Sequence, residues 1–153
     1  MSTIEKLRAG VAALVGTRAT GFGRTLDIAE AGFARGAVET RLHAQCPFRV
    51  SLDDRVLFGT VDMAYPGRAD ADAGEAWRTN TTMFDKHARR FTERFAAAEH
   101  VVESAELGRA GTLTLLLTGA LVIEVLPACG GPVEQWRLFD RGAVDHYMYP
   151  ESA

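Results

Sequence analysis

Residues 112–126 read TLTLLLTGALVIEVL. Leu113, Leu115 and Leu117 alternate with Thr112, Thr114 and Leu116, and LVIEVL follows after a glycine turn at Gly119. Side chains of a strand point to opposite faces in turn, so this alternation predicts an antiparallel hairpin with one buried face. A hairpin with one apolar face needs further strands or a helix to cover that face. The stretch VVESAEL before it, joined through GRAG, predicts a third strand and a meander.

One strong helix stands beside the strands. Over 82–97, Phe84, Ala88, Phe91 and Phe95 form a single apolar stripe, and Thr82 with Asp85 has the spacing of a cap. Arg89, Arg90 and Arg94 fall on the outer face, balanced by Asp85 and Glu93. A phenylalanine stripe at this spacing predicts core packing against a sheet. Residues 1–16 predict a second helix, with Ser2 and Glu5 as a capping box and Ile4, Leu7, Val11 and Leu14 on one stripe.

The remaining chain predicts shorter pieces. GTRATGFG (16–23) reads as a connector; the Gly16 to Gly21 spacing is not a phosphate loop, because Phe22 stands where lysine is required. Residues 24–33 read as a weak strand with Leu26 and Ile28 on one face. It makes a hairpin, through the turn at Arg35-Gly36, with the stretch VETRLHAQCPFRVSL (38–52). There Leu42, Ala44 and Cys46 alternate with Arg41, His43 and Gln45, and Pro47 ends regular pairing. Asp53-Asp54 is a turn into a third strand that runs on from Val56 towards Met63. Residues 66–80 read as a surface loop. Asp70, Asp72 and Glu75 within it lack the spacing of a calcium loop. VEQWRLF (133–139) and DHYMY (145–149) are the last two strands.

The expected fold is therefore α+β: a mainly antiparallel, curved sheet of seven or eight strands, or a partly closed barrel, packed with the 82–97 helix. A length of 153 residues points to one domain spanning 1–153. A net charge of −3 gives no basis for nucleic-acid binding. The two cysteines make no disulfide framework, and neither the N-terminus nor the interrupted apolar run near 113–126 reads as a signal or a membrane span. The expectation is a soluble cytoplasmic protein with no membrane association.

Chemistry concentrates in few places. His43 and Cys46 lie three apart, on opposite faces of a strand, and no cysteine–histidine set has zinc spacing, so no metal and no cofactor are expected. No nucleophile motif or carboxylate pair supports catalysis. Arg49, Asp62, Glu134 and Arg137 sit in or beside apolar strands, where charges form ion pairs or a polar pocket, with Trp136 or Tyr147 as an aromatic wall. The candidate binding residues are His43, Arg49, Asp62, Glu134, Trp136 and Arg137.

LHAQCPFRV (42–50), GTVDMAYP (59–66) and VEQWRLF (133–139) resemble a family of small bacterial proteins of unknown function. That family carries Leu-His-x-Gln-Cys-Pro-(Trp/Phe)-Arg, Gly-Ser-x-Asp and Glu-x-Trp-Arg in this order. The resemblance covers most of 24–149 and implies that His43, Cys46, Arg49, Asp62, Glu134, Trp136 and Arg137 occupy its motif positions. Phe48 replaces the more usual tryptophan, and the N-terminal helix lies outside the pattern. The resemblance implies no activity. Three functions follow as expectations: a non-catalytic interaction protein, of a toxin-immunity-like kind; a small-molecule-binding or enzymatic domain with a pocket between sheet and helix; or a homodimer paired through strand edges. The partner in the first two is an unidentified protein or small molecule.

Overall fold

In the computed structural model, which describes residues 2–151, the 112–126 hairpin forms the middle of one of two sheets. The elements are α1 (Thr3–Ala12), β1 (Arg18–Thr25), β2 (Ile28–Arg35), β3 (Val38–Ala44), β4 (Phe48–Leu52) and β5 (Arg55–Gly59). A 3-10 turn (Thr60–Ala64), α2 (Ala73–Arg78), α3 (Met83–Ala97) and β6 (Val102–Leu107) come next. The chain ends with β7 (Leu113–Leu117), β8 (Leu121–Val125), β9 (Trp136–Asp140) and β10 (Tyr147–Tyr149). The first sheet has the order β1-β2-β3-β9-β10 and the second β5-β4-β8-β7-β6, with every pairing antiparallel.

The α+β class and the antiparallel pairing are as expected, but the single sheet of seven or eight strands is replaced by two sheets of five, and no barrel closes among the described residues. The division falls at Gln45–Pro47, where the chain leaves β3 in the first sheet and enters β4 in the second. Proline has no backbone N–H to continue a ladder, so pairing stops here and restarts against a new neighbour. Both sheets turn their inner faces into one apolar core, with Phe33, Leu42, Trp136 and Leu138 from the first and Phe48, Leu113, Leu115, Leu121 and Ile123 from the second.

Three local expectations change. The glycine-rich stretch 16–23 is mostly strand: β1 starts at Arg18 and runs through Gly21 and Gly23. Leu26 then sits in the β1–β2 turn at φ 54°, solvent-exposed, rather than on a strand face. The segment 66–80 contains α2, with Asp72 as its N-cap accepting from the Glu75 N–H, so Asp72 serves the helix. The strand after Asp54 ends at Gly59, and Asp62 lies in the 3-10 turn.

Helix α3 shows why β1 exists. Thr92 Oγ1 accepts from the Phe22 N–H at 3.3 Å while its own proton goes to the Ala88 carbonyl one turn back, at 2.9 Å. The helix thereby occupies a backbone donor that an edge strand would leave open. Gly21 permits the approach, because a Cβ there would lie 2.6 Å from Thr92 Oγ1. Phe22 then points inward, edge-on to Phe48, Phe58, Phe91 and Phe95 at 5.4 to 5.8 Å. The space between α3 and the sheets is filled by these rings. Of α1's stripe, Leu7, Val11 and Leu14 are buried while Ile4 is exposed.

Candidate functional site

Alternation along β3 sends Leu42 and Ala44 inward and Arg41 and His43 outward. The ladder sets His43 between Glu30 of β2 and Arg137 of β9. Glu30 Oε1 accepts the Thr25 hydroxyl at 2.6 Å and lies 3.9 Å from His43 Nε2. Burial lowers the His43 pKa from its ordinary 6.5, opposed in part by the Glu30 charge. The imidazole is therefore held towards its neutral form.

On the other side of His43, Arg137 forms the hub. Its Nε donates to Glu134 Oε1 at 2.9 Å, and Glu134 Oε2 accepts from Gln45 Nε2 at 3.0 Å. Arg137 Nη1 reaches His146 Nδ1 at 2.8 Å. A guanidinium can only donate, so Nδ1 is the acceptor and His146 carries its proton on Nε2, which donates to the Ala143 carbonyl at 3.1 Å. Phe139 stacks on His146 with ring centres 4.4 Å apart and meets His43 edge-on at 5.0 Å. Three strands and two loops thus hold a continuous polar surface with an aromatic centre on the outer face of the first sheet.

Of the six residues expected to bind, His43, Glu134 and Arg137 come together here and the other three do not. Arg49 is on the outer face of the second sheet, forked onto Glu124 at 3.0 and 3.3 Å, a bond that raises its pKa. Asp62 caps its own turn, accepting the Gly59 N–H at 2.8 Å. Trp136 points the opposite way from Arg137, fully buried, with Nε1 donating to the Gly111 carbonyl at 2.8 Å. Neither Trp136 nor exposed Tyr147, which lies by α1, walls a pocket with these charges. Of the ion pairs expected among these charges only Arg137–Glu134 forms; Arg49 pairs with Glu124, outside the expected set, and Asp62 has no ion pair among the described residues.

Cys46 is buried and its thiol is pushed up to about 11, which holds it protonated and unreactive at neutral pH. It lines a shallow cavity of about 280 Å³ that also includes exposed Cys129. Among the described residues no group of three His, Cys, Asp or Glu side chains is placed to hold a metal ion. No helix among them is long and apolar enough to cross a membrane.

Sequence reasoning missed Glu30, Gln45 and Phe139 as members of this surface. The β2–β3 register alone would have placed Glu30 opposite His43, because the hairpin turn at Gly36 sets which residues face each other. His146 carried no such signal, since β10 is only three residues long and approaches through a loop. Comparison with protein-family models, curated proteins and solved structures gives no match.

Proposed function

We propose that this chain is a non-catalytic, cytoplasmic binding protein that docks a protein partner on the outer face of its first sheet, around His43, Glu134 and Arg137. The observation that carries the reading is the internal pairing of this surface. Arg137, Glu134, Gln45 and His146 are bonded to one another, so their rotamers are set before any partner arrives and little conformational entropy is lost on docking. An arginine with an aromatic neighbour at the centre of a polar surface is the composition of an interface hot spot. The filled space between α3 and the sheets favours this over a ligand pocket at that place. Edge pairing of two copies through the first sheet is less favoured, because α3 occupies the Phe22 N–H of β1 and β10 offers three residues.

The reading is tested with a photo-crosslinking amino acid placed, in the producing cells, at Arg41 on the first sheet and at Thr114 on the outer face of the second. A discrete protein adduct from position 41, absent from position 114 and lost with Arg137→Ala, supports it. Adducts of equal yield from both positions, or none from position 41, contradict it.

A further inference from the structure

A second, separate feature lies where α1 crosses the inner side of the first sheet. Beside the buried face of α1, which carries Leu7, Gly10 and Val11, the exposed Ala9 and the C-cap Ala13 are too small to cover the gap between helix and sheet, and an open cavity remains at this margin. Gly10 allows the Tyr147 ring to lie flat against the helix, since a Cβ there would come within 2.8 Å of it. The result is an open cavity of about 320 Å³ with buried Leu14 and Leu138 as an apolar floor and the exposed Val38 and Tyr147 at its rim. That volume is at the small end of ligand sites, and a few polar groups on an apolar lining is their usual make-up.

The polar groups are of opposite charge. Arg35, exposed at the end of β2, has its Nη2 bonded to the Ala13 and Val15 carbonyls just after α1. Its Nε and Nη1 have no partner among the described residues, and no carboxylate there forms an ion pair with it. Asp140 lines the same cavity; its Oδ1 accepts the Thr40 hydroxyl at 2.7 Å, and it has no cation partner among the described residues. Arg35 and Asp140 thus present an unneutralised cation and anion to one small apolar space without closing on each other. Thr17, also in the lining, spends its hydroxyl on the Leu14 carbonyl.

We infer that this cavity binds a free α-amino acid with an apolar side chain. Its carboxylate pairs with the open donors of Arg35, its ammonium with Asp140, and its side chain lies on Leu14 and Leu138 beside Tyr147. Arg35 and Asp140 are both solvent-exposed, so a ligand bearing only one charge loses one of the two ion pairs rather than incurring a desolvation cost, and binds more weakly for that reason.

The test is NMR titration of the isotope-labelled full chain with leucine and phenylalanine, then with 4-methylpentanoate and 3-methylbutylamine, which each keep one of leucine's charges. The expected result is saturable shifts centred on Ala13, Leu138 and Tyr147 with at least one amino acid, and at least tenfold weaker binding of both analogues. Arg35→Gln and Asp140→Asn should each weaken binding about tenfold or more. Because Arg35 also holds the end of α1, Ala13→Leu supplies an independent variant: it fills the cavity, leaves both charges in place, and should abolish binding while the spectrum stays folded. No saturable shift with either amino acid, equal binding of an analogue, or unchanged binding by Ala13→Leu would overturn the inference.

Discussion

At the scale of single residues, the most heavily bonded ion pair was the least legible one. Arg24 of β1 donates to both oxygens of Asp85 on α3, at 2.9 and 3.0 Å, and to the carbonyls of Leu26 and Trp77. Its guanidinium also stands 5.3 Å over the Trp77 ring. Both side chains are almost sealed from water, at 2% and 9% exposure. Burial alone would push the Asp85 carboxyl up, but hydrogen bonds from Arg24 and Thr82, with the Arg24 charge, together hold it below its usual range. The helical pattern put Asp85 in its capping position without revealing a partner 61 residues away. Arg24→Ala strands a buried carboxylate and should cost about 3–5 kcal/mol in urea unfolding, whereas Arg24→Met with Asp85→Leu should recover most of that loss. A single variant as stable as the parent would show that the pair is inert.

His43 gives a second test at this scale. Its folded pKa lies below its unfolded value, so the unfolded chain takes up the proton more readily. The stability associated with neutral His43 is complete above about pH 6.5 and falls as pH drops through the folded pKa. His87, lowered mainly by burial, acts in the same sense. Denaturant midpoints measured from pH 7.5 to 5 should therefore decline less steeply for His43→Gln than for the parent. Identical slopes would contradict the account.

At the scale of elements, the parts whose pattern states their burial were the legible ones. The 112–126 hairpin and α3 fall where alternation and the phenylalanine stripe put them. β1 was obscured because its two interior glycines have no apolar side chain to mark a strand. Gly21 serves instead to let α3 approach, a reason that becomes visible only once the helix is in place. α2 was hidden because six residues carry too little periodicity to be told from a polar loop. Gly21→Ala should therefore force β1 and α3 apart and cost about 1–3 kcal/mol. Adding Thr92→Ala should make the double variant less unstable than the sum of the singles, because the clash is removed. Strict additivity in thermal or urea unfolding would mean that Gly21 is not a packing contact.

At the scale of the whole molecule, the sequence predicted seven or eight strands where the structure has ten, and did not show how they divide. Pro47 was legible as an end to pairing, yet whether the chain continues in the same sheet or starts another depends on partners far along it. β4 finds β8, and β3 finds β9, across about 70 to 100 residues. The candidate surface followed the same rule. His43 and Arg137 were each legible as polar residues on apolar strands, but only the β3–β9 register brings them side by side. Arg49 looked equivalent in sequence and lies on the other sheet, which makes it the natural control.

The most direct measurement is native mass spectrometry of the chain gently purified from its producing cells, comparing parent, Arg137→Ala and Arg49→Ala. The account predicts a second protein mass retained on the parent and on Arg49→Ala and lost from Arg137→Ala, with all three chains folded. A bare chain in every sample, or a partner that is retained equally by Arg137→Ala, would contradict the assignment of the first sheet's outer face as the binding surface.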